Sequence, residues 1–133
     1  IMHYELSRIY GRLLELPAGV VGGKISEAIR EGRAISDAQH RNERAEVDLL
    51  RRKFFQSFDE GTLFLWPATP GPAPEGIEWT GDPRYIAPWT ALGGPIVTMP
   101  AGQSADGLPL GCLLAGRPGH DAFVGRLARD LAS

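Results

Sequence analysis

The chain of 133 residues is short of several things that would point to particular functions. It has a single cysteine, Cys112, which excludes an internal disulfide and a zinc site built on clustered cysteines. A lone thiol fits a reducing compartment, and a cytoplasmic location is the expectation. No run approaches the roughly 18 apolar residues of a membrane-spanning helix, so no membrane partner is expected. The opening stretch IMHYELSRIYGRLLELP has no basic leader followed by an apolar block, and so does not read as a secretory signal. Ile1 ahead of Met2 reads as a tag remnant or as the start of an excised piece. Histidine is scarce. His3, His40 and His120 lie far apart, and only His120 has a carboxylate neighbour, Asp121, which cannot share its helix face. No metal site and no cofactor are expected. The net charge is -2, so no whole-chain field favours nucleic acid, which is not an expected partner. Lysine is limited to Lys24 and Lys53 among 14 basic residues, a bias that reads as genomic rather than as phosphate recognition.

What is present is a globular composition, 43% hydrophobic and 23% charged. Ile9, Leu13 and Leu16 keep helical spacing until Pro17 and Gly19 stop the run. A short second helix is expected over about 23–31, with Gly32 as its C-terminal cap. Ser36-Asp37-Ala38-Gln39 forms a capping-box pattern that opens a long helix to about Asp59, with Val47, Leu50, Phe54 and Phe58 as its apolar stripe. Arg41, Arg44, Arg51 and Arg52 read as its solvated face. At 1.5 Å per residue that helix is roughly 35 Å long, more than so small a chain needs for itself.

Thr62–Trp66 reads as a buried strand. Prolines at 67, 70, 72, 74, 83 and 88 argue against regular helix or central strand across 67–90. Ile96–Met99 and Leu110–Ala115 read as two more buried strands, paired like a hairpin across a turn at Asp106-Gly107. A last helix is expected from His120 to Ala132, with Phe123, Leu127 and Leu131 as its apolar stripe and Asp121 in its first turn. The expectation is one unit over 1–133, helical over 3–60, sheet and loop over 62–116, and closed by the helix at 120–132.

The most informative stretch is Gly93–Asp121, GGPIVTMPAGQSADGLPLGCLLAGRPGHD. Within it, GPIVTMPAG at 94–102 and GLPLGCLLAGRPGHD at 107–121 resemble the C-terminal blocks of the amidase signature family. Upstream, ISDAQHRNERAEVDLLRRKFFQSFDEGTLFLWPATPGPAP at 35–74 is similar to that family's long helix with spaced arginines, followed by a strand that ends at a Pro-rich loop. The three blocks stand in the family's order over roughly the last hundred residues. Leu113 occupies a position where the family often has Gln, and Gly61-Thr62 one where it often has an acidic residue.

The resemblance implies an α/β fold, here a partial mixed sheet with flanking helices forming the C-terminal part of the family's domain. It also implies hydrolysis of a carboxamide C–N bond by a serine activated through a second serine and a lysine. Those residues sit in the N-terminal half of the family's proteins, in a Gly/Ser-rich stretch. None of Ser7, Ser26, Ser36, Ser57, Ser104 or Ser133 lies in a Gly-Ser-Ser context, so no catalytic residue is assigned in this chain. It is expected to be inactive alone and to meet a small-molecule amide only together with the missing N-terminal half. By analogy with the family's substrate funnel, the loop 76–92 carries the candidate substrate-binding residues Trp79, Asp82, Tyr85 and Trp89. The competing expectation for the aromatic rings is packing beneath a Pro-rich loop. Cys112, flanked by leucines, reads as a small core residue. Two other functions stay open, a non-catalytic association chain with this fold and part of an amidotransferase subunit. Unpaired sheet edges in either case predict self-association.

Overall fold

The computed structural model describes residues 1–132, so Ser133 lies outside the described residues. The chain divides into two compact units, Ile1–Leu49 and the stretch from Leu50 on.

The first unit is helical. Helix α1 spans Met2–Tyr10 and tightens into a 3-10 turn at Gly11–Glu15, and helix α2 spans Gly23–Ala34. Gly32, expected as a cap, lies inside α2, which continues two residues past it. The reason is steric. A Cβ at Gly32 would stand 1.8 Å from the His3 carbonyl oxygen, so the glycine is what lets α1 and α2 touch backbone to backbone. Ile29 is fully buried beside this crossing, and the buried Ser7 hydroxyl donates to the Tyr4 carbonyl at 2.7 Å within its own helix. Helix α3, Asp37–Gln56, begins as the capping pattern predicts, with the Gln39 N–H donating to Ser36 Oγ at 3.1 Å. The Gln39 side chain turns forward to Glu43 instead of closing the box.

The second unit holds the last turns of α3 and strands β1 (Phe64–Pro67), β2 (Ile96–Gln103) and β3 (Pro109–Ala115). It also holds a 3-10 turn at Pro83–Tyr85 and helices α4 (Ala87–Leu92) and α5 (Asp121–Ala132). The sheet is antiparallel in the order β1-β3-β2, so the architecture is α/β with flanking helices, as expected. The β2–β3 pair forms as anticipated, and β2 runs on past Pro100 with a register irregularity between Pro100 and Gly102.

Alternation along β3 makes two cores. On one face Leu113 and Ala115 pack with Trp89, Phe54, Phe64 and Ile96. On the other, Leu114 packs with Met99, Val97 and the α5 residues Val124 and Ala128.

Four expectations give way here. The strand expected to be buried at 62–66 is instead an edge strand, with Leu65 65% exposed, because β3 takes the centre. Helix α4 forms in the Pro-rich region because Pro88 falls in its first turn, where a missing N–H costs nothing. The buried stripe of α5 is Val124 and Ala128, shifted from the expected Phe123 and Leu131, which stay exposed. Arg51 does not belong to a free solvated face, since its Nη2 donates to the Ala91 carbonyl at 3.0 Å, near the end of α4.

The Gly-rich block explains itself at Gly94 and Gly116. The start of β2 and the end of β3 approach so closely that a Cβ on Gly94 would lie 1.9 Å from the Gly116 carbonyl oxygen. One on Gly116 would lie 2.5 Å from Val124 Cγ2. The Gly116 N–H donates to the Pro95 carbonyl at 3.0 Å across the same junction.

Candidate functional site

Where β1 ends, the chain leaves the sheet as Ala68-Thr69-Pro70-Gly71-Pro72-Ala73-Pro74 and returns through Trp79–Pro83. The fixed φ of the prolines holds this loop away from the sheet without backbone hydrogen bonds of its own. Thr69 Oγ1 stiffens it by donating to the Gly71 carbonyl at 2.6 Å. Between loop and sheet lies a cleft of about 850 Å³, within the range of roughly 300–1,000 Å³ typical of small-molecule sites. Its floor is the sheet face carrying Ala68, Thr98, Pro109 and Gly111, and its wall is Trp79, Thr80, Asp82 and Ile86. A smaller cavity of about 450 Å³ opens on the opposite face beside Leu65, Leu110 and Cys112. Cys112 is half-buried there and packs on the Met99–Val124 core.

The four candidate residues separate in the structure. Trp79, 59% exposed, and Asp82 line the cleft. Tyr85 is half-buried, with its ring 6.3 Å from that of Trp66. Trp89 is buried in the core, with ring centroids 5.0 Å from Phe64 and 6.0 Å from Phe54, and does not reach the cleft lining. Helical phase decides this, since α4 turns Trp89 inward onto β3. Thr98, on the cleft floor, was readable in principle from the period-2 pattern of β2, where it faces away from its neighbours Val97 and Met99.

Asp82 is the ionisable residue of the lining. Its Oδ1 accepts the Arg84 N–H at 2.9 Å, capping the 3-10 turn, while Oδ2 meets the Arg84 guanidinium. These hydrogen bonds, the guanidinium's foremost, hold the Asp82 carboxyl below the usual aspartate range. No nucleophile faces it within the lining, which carries no serine, cysteine, lysine or histidine.

The serines are spent on structure. Ser7 bonds its own helix, Ser36 caps α3, Ser57 Oγ donates to the Lys53 carbonyl at 3.0 Å, and Ser104 Oγ accepts the Leu108 N–H at 3.2 Å in the β2–β3 turn. Ser26 lies on α2 two residues from Lys24, without a second serine beside it in sequence. Among the described residues no group of three histidine, cysteine or acidic side chains is placed to hold a metal ion, and no helix is long and apolar enough to cross a membrane.

This fold recurs in known proteins. No family model matches the chain. The putative amidase AmiA2 of Mycobacterium tuberculosis is 30% identical over 115 residues, which is 77% of this chain and 24% of that protein. The amidase-type component of a glutamyl-tRNA(Gln) amidotransferase from Xanthobacter autotrophicus is 37% identical over 89 residues, 60% of this chain and 18% of that one. A crystal structure of an amidase superposes with a TM-score of 0.81 at 27% identity, over 97% of this chain and 32% of the other. The chain belongs to the amidase signature family. It spans between 18% and 24% of the length of these curated relatives.

Proposed function

We propose that this chain is the C-terminal portion of an amidase-type hydrolase and supplies one wall of its substrate site. The reaction is cleavage of a carboxamide C–N bond, with the nucleophile and its base contributed by residues beyond these 133. The cleft beneath the Pro-rich loop supports this reading. It has the size of a small-molecule site and a polar and an aromatic wall residue, yet no side chain able to attack a carbonyl. Trp79 and Asp82 are the substrate-facing members of the proposed set, while Tyr85 and Trp89 hold the loop and α4 in place behind them. A chain serving association alone is not favoured, since the relatives are amidases and amidotransferase components.

Two measurements bear on the proposal. The purified 133-residue chain hydrolyses neither acetamide nor benzamide above the buffer rate, and measurable turnover by it would overturn the division of labour proposed here. The second concerns partners. β1 and β2 each have one edge unpaired within this sheet, and Leu65, Trp66 and Ile77 are exposed near or beyond β1. The isolated chain therefore self-associates, and a sharp monomer in sedimentation at micromolar concentration would count against that.

A further inference from the structure

A cleft with one ionisable side chain ordinarily selects for the opposite charge. Here that side chain is already answered from within the same loop. Arg84 lies two residues beyond Asp82 and takes both its carboxylate oxygens, one through the backbone N–H and one through the guanidinium. The Asp82 side chain is 21% exposed and faces the cleft, while the Arg84 side chain is 73% exposed and lies outside the lining. What the cleft presents to a ligand is therefore a neutralised carboxylate, the ring of Trp79, apolar Ile86 and prolines, and the hydroxyls of Thr80 and Thr98. A hydroxyl both donates and accepts, which matches the N–H and C=O of an amide. A carboxylate or an amidinium entering this lining gives up water without gaining a free counter-charge.

We infer that this cleft selects an uncharged aryl or alkyl carboxamide over its carboxylate and amidinium counterparts, because the Asp82–Arg84 pair cancels the one charge on its lining. The inference rests on the reading of the cleft as a substrate wall, and the test separates the two. Benzamide, benzoate and benzamidine share a shape and differ in charge. Each is titrated into the isotopically labelled 133-residue chain and followed by amide and indole NMR shifts.

Benzamide moves the Trp79 indole N–H and the Thr80 and Asp82 amides, and the two charged probes bind about tenfold more weakly, the cost of roughly 1.4 kcal/mol of uncompensated desolvation. Arg84→Ala unmasks Asp82 and improves benzamidine alone, by roughly threefold to tenfold. Asp82→Asn unmasks Arg84 and improves benzoate alone. Equal binding of the three probes to the unsubstituted chain overturns the inference and leaves the substrate-wall reading standing. So does a preference for benzamide that neither substitution alters, since the pair would then not be its source. If none of the three moves the Trp79 and Thr80 signals, the substrate-wall reading itself fails.

Discussion

The two units of this chain are held together by different means. In the unit formed from Leu50 on, a central strand buries Leu113, Leu114 and Ala115 on alternating faces, and each face has its own cluster. Phe54, Phe58, Phe64 and Trp89 form a continuous set of ring contacts at about 5–6 Å centroid spacing. Arg117 ties this set to the end of α3, donating to the Phe55 and Phe58 carbonyls at 2.7 and 2.9 Å. The unit Ile1–Leu49 buries only Ser7, Ile29 and Gly32. It relies on polar contacts at its surface. Tyr4 stacks on His40 at 4.0 Å and donates to Asp37, while Arg8 covers the Tyr4 ring and pairs with the same carboxylate. Exposed pairs of this kind contribute little each, about 0–1 kcal/mol. Apolar burial therefore dominates in one unit, and backbone fit with a polar latch in the other.

The sharpest way to break this comparison is to add one methyl group at the tightest backbone contact of each unit. In Gly94→Ala the new Cβ meets the Gly116 carbonyl at 1.9 Å, and in Gly32→Ala it meets the His3 carbonyl at 1.8 Å. Neither obstacle is a side chain that can rotate away. Each substitution costs roughly 3 kcal/mol or more at its own site. The outcomes differ because the reserves differ. Hydrogen exchange on Gly94→Ala shows weakened protection at the β2–β3 junction with the Trp89–Leu113 cluster retained. In Gly32→Ala, protection is lost throughout α1 and α2. Retained protection across α1 in Gly32→Ala would show that the first unit has more holding it than its thin core.

Much of this was legible in the sequence because it was local. Ser36 and Gln39 mark the start of α3, and the turn residues between β2 and β3 mark their pairing. The family resemblance was carried by glycines whose role is now geometric, Gly94 and Gly116 among them. Non-local facts were not legible. TLFLW is apolar enough for a central strand, and nothing within it says that β3 will take the centre and leave Leu65 exposed. Trp79 and Trp89 stand in one loop region with similar neighbours, and only the α4 helix phase sends one to the cleft and the other to the core. Gly32 looked like a cap because its reason for being glycine is a carbonyl 29 residues away. The neutralisation of Asp82 was the reverse case. Asp82-Pro83-Arg84 signals a turn in the sequence, and that turn is what folds the guanidinium back onto the carboxylate.

The smallest expected effect concerns the polar latch. The Tyr4 hydroxyl first, and Arg8 second, hold the Asp37 carboxyl below the ordinary aspartate range. A carboxyl group whose folded value lies below its unfolded value of about 3.9 stabilises the fold at every pH above that value. The contribution is lost as the pH falls through the folded value. Acidification below about pH 4 therefore loosens α1 from the start of α3, and neutral or mildly alkaline solution leaves the contact intact. Asp37→Asn removes the charge while leaving an oxygen for Tyr4, so it lowers stability slightly at neutral pH and flattens the acid limb. The measurement is the difference between the two proteins in helical circular dichroism from pH 6 to 2, because other carboxylates, Asp82 included, contribute equally to both curves. An unchanged difference across that range would mean that Asp37 binds its partners no better folded than unfolded. The first unit would then rest on Ile29 and the Gly32 crossing alone.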